Sequence, residues 1–80
     1  MAISTQLVPQ ELYQHYKGTI YRILAVACHT ETLEEHVVYQ DITEIEKIWI
    51  RPLEMFCENV TLINGEVVPR FRYINLEQDL

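Results

Sequence analysis

Basic charge is scarce in this chain: six Lys and Arg stand against twelve Asp and Glu, a net charge of −6 over 80 residues. That balance argues against sequence-independent binding to duplex nucleic acid, which depends on many cations meeting phosphates. Glycine is scarce too. Gly18 and Gly65 are the only two, so no glycine-rich phosphate loop exists. No apolar run approaches the roughly 20 residues that span a bilayer, so no membrane segment is expected. Cys28 and Cys57 lie in no metal-ligand spacing, each inside an apolar run, which predicts free, buried or half-buried thiols. His15, His29 and His36 have no second His or Cys at a recognised short spacing, so neither a metal nor a cofactor is expected. Repeats, low-complexity tracts and linkers are missing, and the length suits one domain over residues 1–80. Met1-Ala2-Ile3-Ser4-Thr5-Gln6 has no basic or apolar leader character, and the expected compartment is the cytoplasm.

What is present is strand-forming sequence. Ile20-Tyr21-Arg22-Ile23-Leu24-Ala25-Val26-Ala27 is apolar on both alternating faces, as in a central or strongly curled strand. A loop over Thr30–Glu35 and a strand from His36 to Asp41 complete a hairpin. Ile48-Trp49-Ile50-Arg51 is a further strand; alternation puts Trp49 and Arg51 on one face, Ile48 and Ile50 on the other. Pro52 ends it and opens a short helical turn over residues 52–57. Asn64-Gly65, between Val60–Ile63 and Glu66–Val68, predicts a type I′ hairpin. Phe71–Ile74 forms the last strand. Residues 1–12 read as a loosely held arm, with Pro9 as an alternative helix start. Five or six short antiparallel strands with one helical turn, over residues 13–76, predict a mainly β fold, a compact barrel or curled sheet whose closure removes exposed edges.

An ordered series of short motifs runs through these elements: Tyr13-Gln14-His15-Tyr16-Lys17-Gly18, Tyr21-Arg22-Ile23-Leu24, His29-Thr30-Glu31-Thr32-Leu33-Glu34, Val37-Val38-Tyr39, Trp49-Ile50-Arg51-Pro52, Met55-Phe56-Cys57-Glu58-Asn59-Val60 and Pro69-Arg70-Phe71. In these the chain resembles the DUF1653 family of small bacterial proteins of unknown function. The resemblance implies an SH3-like antiparallel β-barrel and no particular reaction. Thr30 stands where the family has a serine, and Ile42–Lys47 replaces a segment that often contains glycine.

The motifs interleave aromatic and charged side chains. Tyr16, Tyr39, Trp49 and Phe71 would wall a groove, with Lys17, Arg51 and Arg70 as hooks for an anion and His15, His29 and Glu31 as further ligand-binding residues. This reading makes the protein a non-enzymatic binding module for an acidic peptide segment or a small anionic ligand. Each residue has a plainer reading: Arg51 paired with Glu54 or Glu58, Lys17 and Arg70 neutralising Glu31 and Glu58, and the His29–Glu34 loop satisfying its own backbone. Two other functions stay open. The aromatic face could be a homodimer interface. Alternatively, His29 with Glu31 or Glu58 could do acid–base work in a small hydrolase. The reading leans against an enzyme.

Overall fold

A computed structural model describes residues 7–74. Seven strands and one helical turn follow in order: β1 Leu12–His15, β2 Ile20–Cys28, β3 Glu35–Asp41, β4 Ile48–Pro52, α1 Leu53–Phe56, β5 Asn59–Thr61, β6 Val67–Pro69 and β7 Phe71–Ile74. The fold is mainly β, and the helical turn sits where Pro52 predicts it. Among the described residues no helix is long and apolar enough to cross a membrane.

Five strands form one antiparallel sheet in the order β4-β3-β2-β1-β7, and β5 pairs with β6 alone. The expected barrel is therefore not closed by hydrogen bonds among the described residues. The reason lies at the end of β4. Pro52 offers no N–H, and the chain turns directly into α1, whose buried Leu53 and Phe56 fill the inner face of the sheet. Side chains of a helical turn take the place of a closing ladder.

β2 is central, as its apolarity predicts, and a register shift between Ile23 and Ala25 explains why both of its faces look apolar. The extra residue resets the alternation, so Ile23 and Val26, three apart, both pack on the core. Ile23 and Val37 are fully buried, and Phe56 and Phe71 stack with ring centroids 4.0 Å apart. Edge-on contacts tie Tyr39 to both rings.

The first strand departs from the sequence reading. Leu12, expected at the end of the arm or in a helical turn from Pro9, instead begins the strand Leu12–His15, which lies between β2 and β7 with Tyr13 opposite both Tyr21 and Tyr73. Pro9 instead shapes a tight turn closed by Glu11 N–H to Val8 O at 3.2 Å, with Gln10 at φ 81°. Residues 1–6 of the expected arm and the last two of the expected 13–76 span lie outside the described residues.

The two glycines do one job in two places. Gly18 N–H bonds His15 O at 2.7 Å, and His15 N–H bonds Thr19 O at 2.8 Å. Gly65 N–H bonds Leu62 O at 2.9 Å, and Leu62 N–H bonds Glu66 O at 2.7 Å. Both are three-residue loops whose third position alone needs positive φ, 115° at Gly18 and 91° at Gly65. The Asn64-Gly65 hairpin thus forms, but not as a type I′ turn, because Asn64 keeps negative φ and uses its Oδ1 to accept Glu66 N–H at 2.9 Å.

Candidate functional site

His15 ends β1, directly opposite Phe71 of β7. Its ring meets Phe71 edge-on at 5.0 Å and stacks on Tyr16 at 4.5 Å. The tight turn that follows carries Lys17 N–H back to His15 Nδ1 at 3.1 Å. In the neutral ring the proton therefore sits on Nε2.

Tyr39 and Trp49 are cross-strand partners, as are Val37 and Arg51, so one inner face carries Trp49 and Arg51 at its β4 edge. The shared face foreseen for these two residues is thus present. The Arg51 guanidinium turns inward: Nε donates to the Tyr39 hydroxyl at 3.3 Å, and Cζ lies 5.8 Å from the Phe71 ring centre. Among the described residues Arg51 has no ion pair with Glu54 or Glu58. Arg70, half-buried, pairs its Nη2 with Glu58 Oε1 at 3.3 Å, while its buried Nε has no partner among the described residues. Lys17 is exposed, with Nζ 5.8 Å from the Tyr16 ring centre.

One residue registers how these groups gather. The His15 pKa is lowered, first by burial and then by the positive charges of Arg51, Arg70 and Lys17. Cations from β4, from the β6–β7 connection and from the β1–β2 turn thus act on a single imidazole. His15, Tyr16, Lys17, Tyr39, Arg51, Arg70 and Phe71 form one neighbourhood, with Trp49, half-exposed, at its β4 margin. Tyr21, which the motif reading left out of the site, also belongs. Its ring meets Tyr39 at 5.0 Å and Phe71 at 5.9 Å. Its position in an apolar run concealed it.

His29 and Glu31 do not join them. They follow the end of β2 remote from His15, and no hydrogen bond or ring contact joins them to the cluster among the described residues. His29 Nδ1 accepts Glu31 N–H at 3.1 Å and Thr32 N–H at 3.3 Å, and Thr32 Oγ1 accepts Glu34 N–H at 3.2 Å. The loop satisfies its own backbone, helped by Leu33 at φ 63°. Its carboxylates do not hydrogen-bond His29 among the described residues.

The segment Ile42–Lys47 is organised by one buried carboxylate. Asp41 Oδ1 accepts Thr43 N–H and Thr43 Oγ1–H, each at 2.8 Å, and Glu44 N–H at 3.1 Å. These donors hold its pKa below the usual value, backbone Thr43 contributing most. Both cysteines are free and exposed, not buried, because Cys28 closes β2 at its loop and Cys57 caps α1.

A cleft of about 330 Å³ lies beside the cluster, between the outer face of β1–β7 and the β5–β6 hairpin. Gln14 and Arg72 line it from the sheet and Leu62, Val68 and Pro69 from the hairpin, while His15 and Tyr16 contribute to its rim. Arg72 Nη2 donates to Gln14 Oε1 at 2.7 Å. Among the described residues no group of three or more His, Cys, Asp or Glu is placed to hold a metal ion.

A family model described as a protein of unknown function, DUF1653, matches residues 11–73. The crystal structure of a DUF1653 protein from Bordetella bronchiseptica is similar to this chain at 32% identity and a TM-score of 0.76, covering 90% of this chain and 92% of the other. No curated protein matches the chain.

Proposed function

The chain belongs to the DUF1653 family, and on that premise we propose that it is a non-enzymatic binding module for an anionic group. The group is a carboxylate or phosphate, carried by an acidic peptide segment or a small molecule. Arg51 presents the fork, His15 Nε2–H adds a neutral donor, and Arg70 and Lys17 supply the surrounding positive field. Tyr16, Phe71, Tyr39 and Trp49 are the aromatic walls.

The observation that carries this reading is that His15 and Arg51 both lie on the Phe71 ring, with Arg70 and Lys17 flanking Tyr16 beside them, while among the described residues Glu58 is the one carboxylate ion-paired to these cations. Like charges held together cost free energy unless something negative completes them. Stability does not account for the arrangement, since exposed ion pairs contribute only about 0–1 kcal/mol. The wiring of His29 into its own loop weakens the acid–base alternative, which needs that ring at a substrate.

The test is a titration of the whole protein with inorganic phosphate, and separately with acetate, followed by NMR at low ionic strength. Saturable shifts at the His15 ring and the Arg51 and Arg70 side chains are expected. Shifts that spread over the surface without saturating would sink the proposal.

A further inference from the structure

β4 is the last strand of the five-stranded sheet, and its outer edge is unpaired among the described residues. Asp41 N–H bonds Lys47 O at 3.0 Å, which extends the β3–β4 ladder by one residue and fixes its phase. Residues 47, 49 and 51 direct their backbone groups toward β3, so Ile48 and Ile50 direct theirs outward. Neither makes a backbone bond beyond the sheet among the described residues. Edge strands of this kind are usually blunted by Lys, Pro or a bulge. Here Pro52 closes only the far end, and Lys47 is drawn back by its 2.6 Å ion pair with Glu44. Between them Ile48, Trp49 and Ile50 are 53%, 48% and 64% exposed.

We propose that this edge accepts an extended acidic segment of a partner protein as an added antiparallel strand. The inference rests on the anion site described above and identifies its ligand. Alternation makes the recognition specific. Residues of the added strand opposite Ile48 and Ile50 lie on the outer face and are apolar, covering the two exposed isoleucines. Residues opposite Trp49 and Arg51 lie on the inner face, where a carboxylate comes within cross-strand reach of Arg51. A second copy of the chain fits less well. It brings a net charge of −6 against −6, and its own β4, Ile-Trp-Ile-Arg-Pro, has no carboxylate to meet Arg51.

The probe is an N-acetylated, C-amidated peptide of alternating Val and Glu, five residues long, added to the full chain. Amide exchange at Ile48 and Ile50 should slow at least tenfold, with movement of the Trp49 indole signal. Methylating the peptide's Val nitrogens removes the donors that face β4 and should weaken binding at least tenfold. Methylating the Glu nitrogens should spare it. Replacing Glu by Lys, or Arg51→Gln in the protein, should also cost at least tenfold. The peptide variants leave the protein untouched, so a folding defect cannot mimic the result.

Binding indifferent to Val methylation, or to Glu-to-Lys replacement, overturns the proposal. So does concentration-dependent protection of Ile48 and Ile50 in the protein alone, with a doubled mass, which would make the edge a homodimer seam. Phosphate shifts at His15 without peptide protection would leave the anion site standing and remove the strand addition. Loss of both responses removes both.

Discussion

Two histidines in this molecule are wired alike and placed in opposite surroundings. His15 Nδ1 accepts Lys17 N–H, and His29 Nδ1 accepts Glu31 N–H, each at 3.1 Å and each two residues on. Locally they are the same device, a ring that ties down a turn. Around His15 the sheet adds Phe71, Arg51 and Arg70, whereas the exposed His29 loop adds carboxylates and another imidazole, His36, at 5.8 Å. The difference shows that local hydrogen bonding does not distinguish a candidate site from a loop. Strand pairing does, by deciding which distant residues arrive.

That contrast can be broken most forcefully from below. Phe71→Ala removes the buried ring that supports His15 and stacks on Phe56, and is expected to cost about 3–5 kcal/mol. A urea midpoint would show most of the stability lost, and a shift under 1 kcal/mol would contradict the packing described. Next in size is Arg51→Gln. Removing a charge-assisted contact of about 1.5–3 kcal/mol predicts a ten- to hundredfold weaker phosphate response. The His15 pKa should then rise toward its ordinary 6.5, and the His29 ring signals should stay still during the phosphate titration.

A pH series sharpens the comparison further. The folded His15 pKa lies below the ordinary 6.5, so between those values the unfolded chain binds more protons than the folded one. Stability should therefore rise with pH across that window and level off above it. On acidification the loss should begin near 6.5 and be complete once the pH is below the folded value, where both states carry the proton. His15→Gln should flatten that part of the curve in chemical denaturation, and an unchanged slope would count against the cause assigned. The smallest effect belongs to the other ring. His29→Ala hands Glu31 and Thr32 N–H to water in an exposed loop, and should cost about 1 kcal/mol or less.

Much of the fold was legible where local chemistry decided it. Pro52 opening a helical turn, Gly65 in a hairpin and the alternation that pairs Trp49 with Arg51 all survive in the structure. β1 was not legible, because Leu12–His15 is too short for a periodic signal and follows Pro9, which suggested a helix start. Closure was misjudged for a related reason. Whether β4 meets another strand or α1 covers the gap depends on tertiary packing that no local run encodes. The site divided along the same line. The residue types of Lys17, Arg51 and Arg70 were readable, whereas their position around His15 is set by strand pairing and the β6–β7 connection. His29 and Glu31 lie beyond the end of β2 remote from His15 and bond within their own loop, and their composition gave no hint of that.

The twin glycine loops carry one more implication. Tyr16-Lys17-Gly18 and Ile63-Asn64-Gly65 share a hydrogen-bond pattern and a positive φ at glycine, so the dipeptides before each glycine occupy equivalent positions. Exchanging the two pairs would relocate one aromatic and one ammonium group to the opposite hairpin while leaving the scaffold's connectivity alone. The two loops are thus a pair of matched frames on which side chains can be traded by changing four residues, without redesigning the platform beneath them.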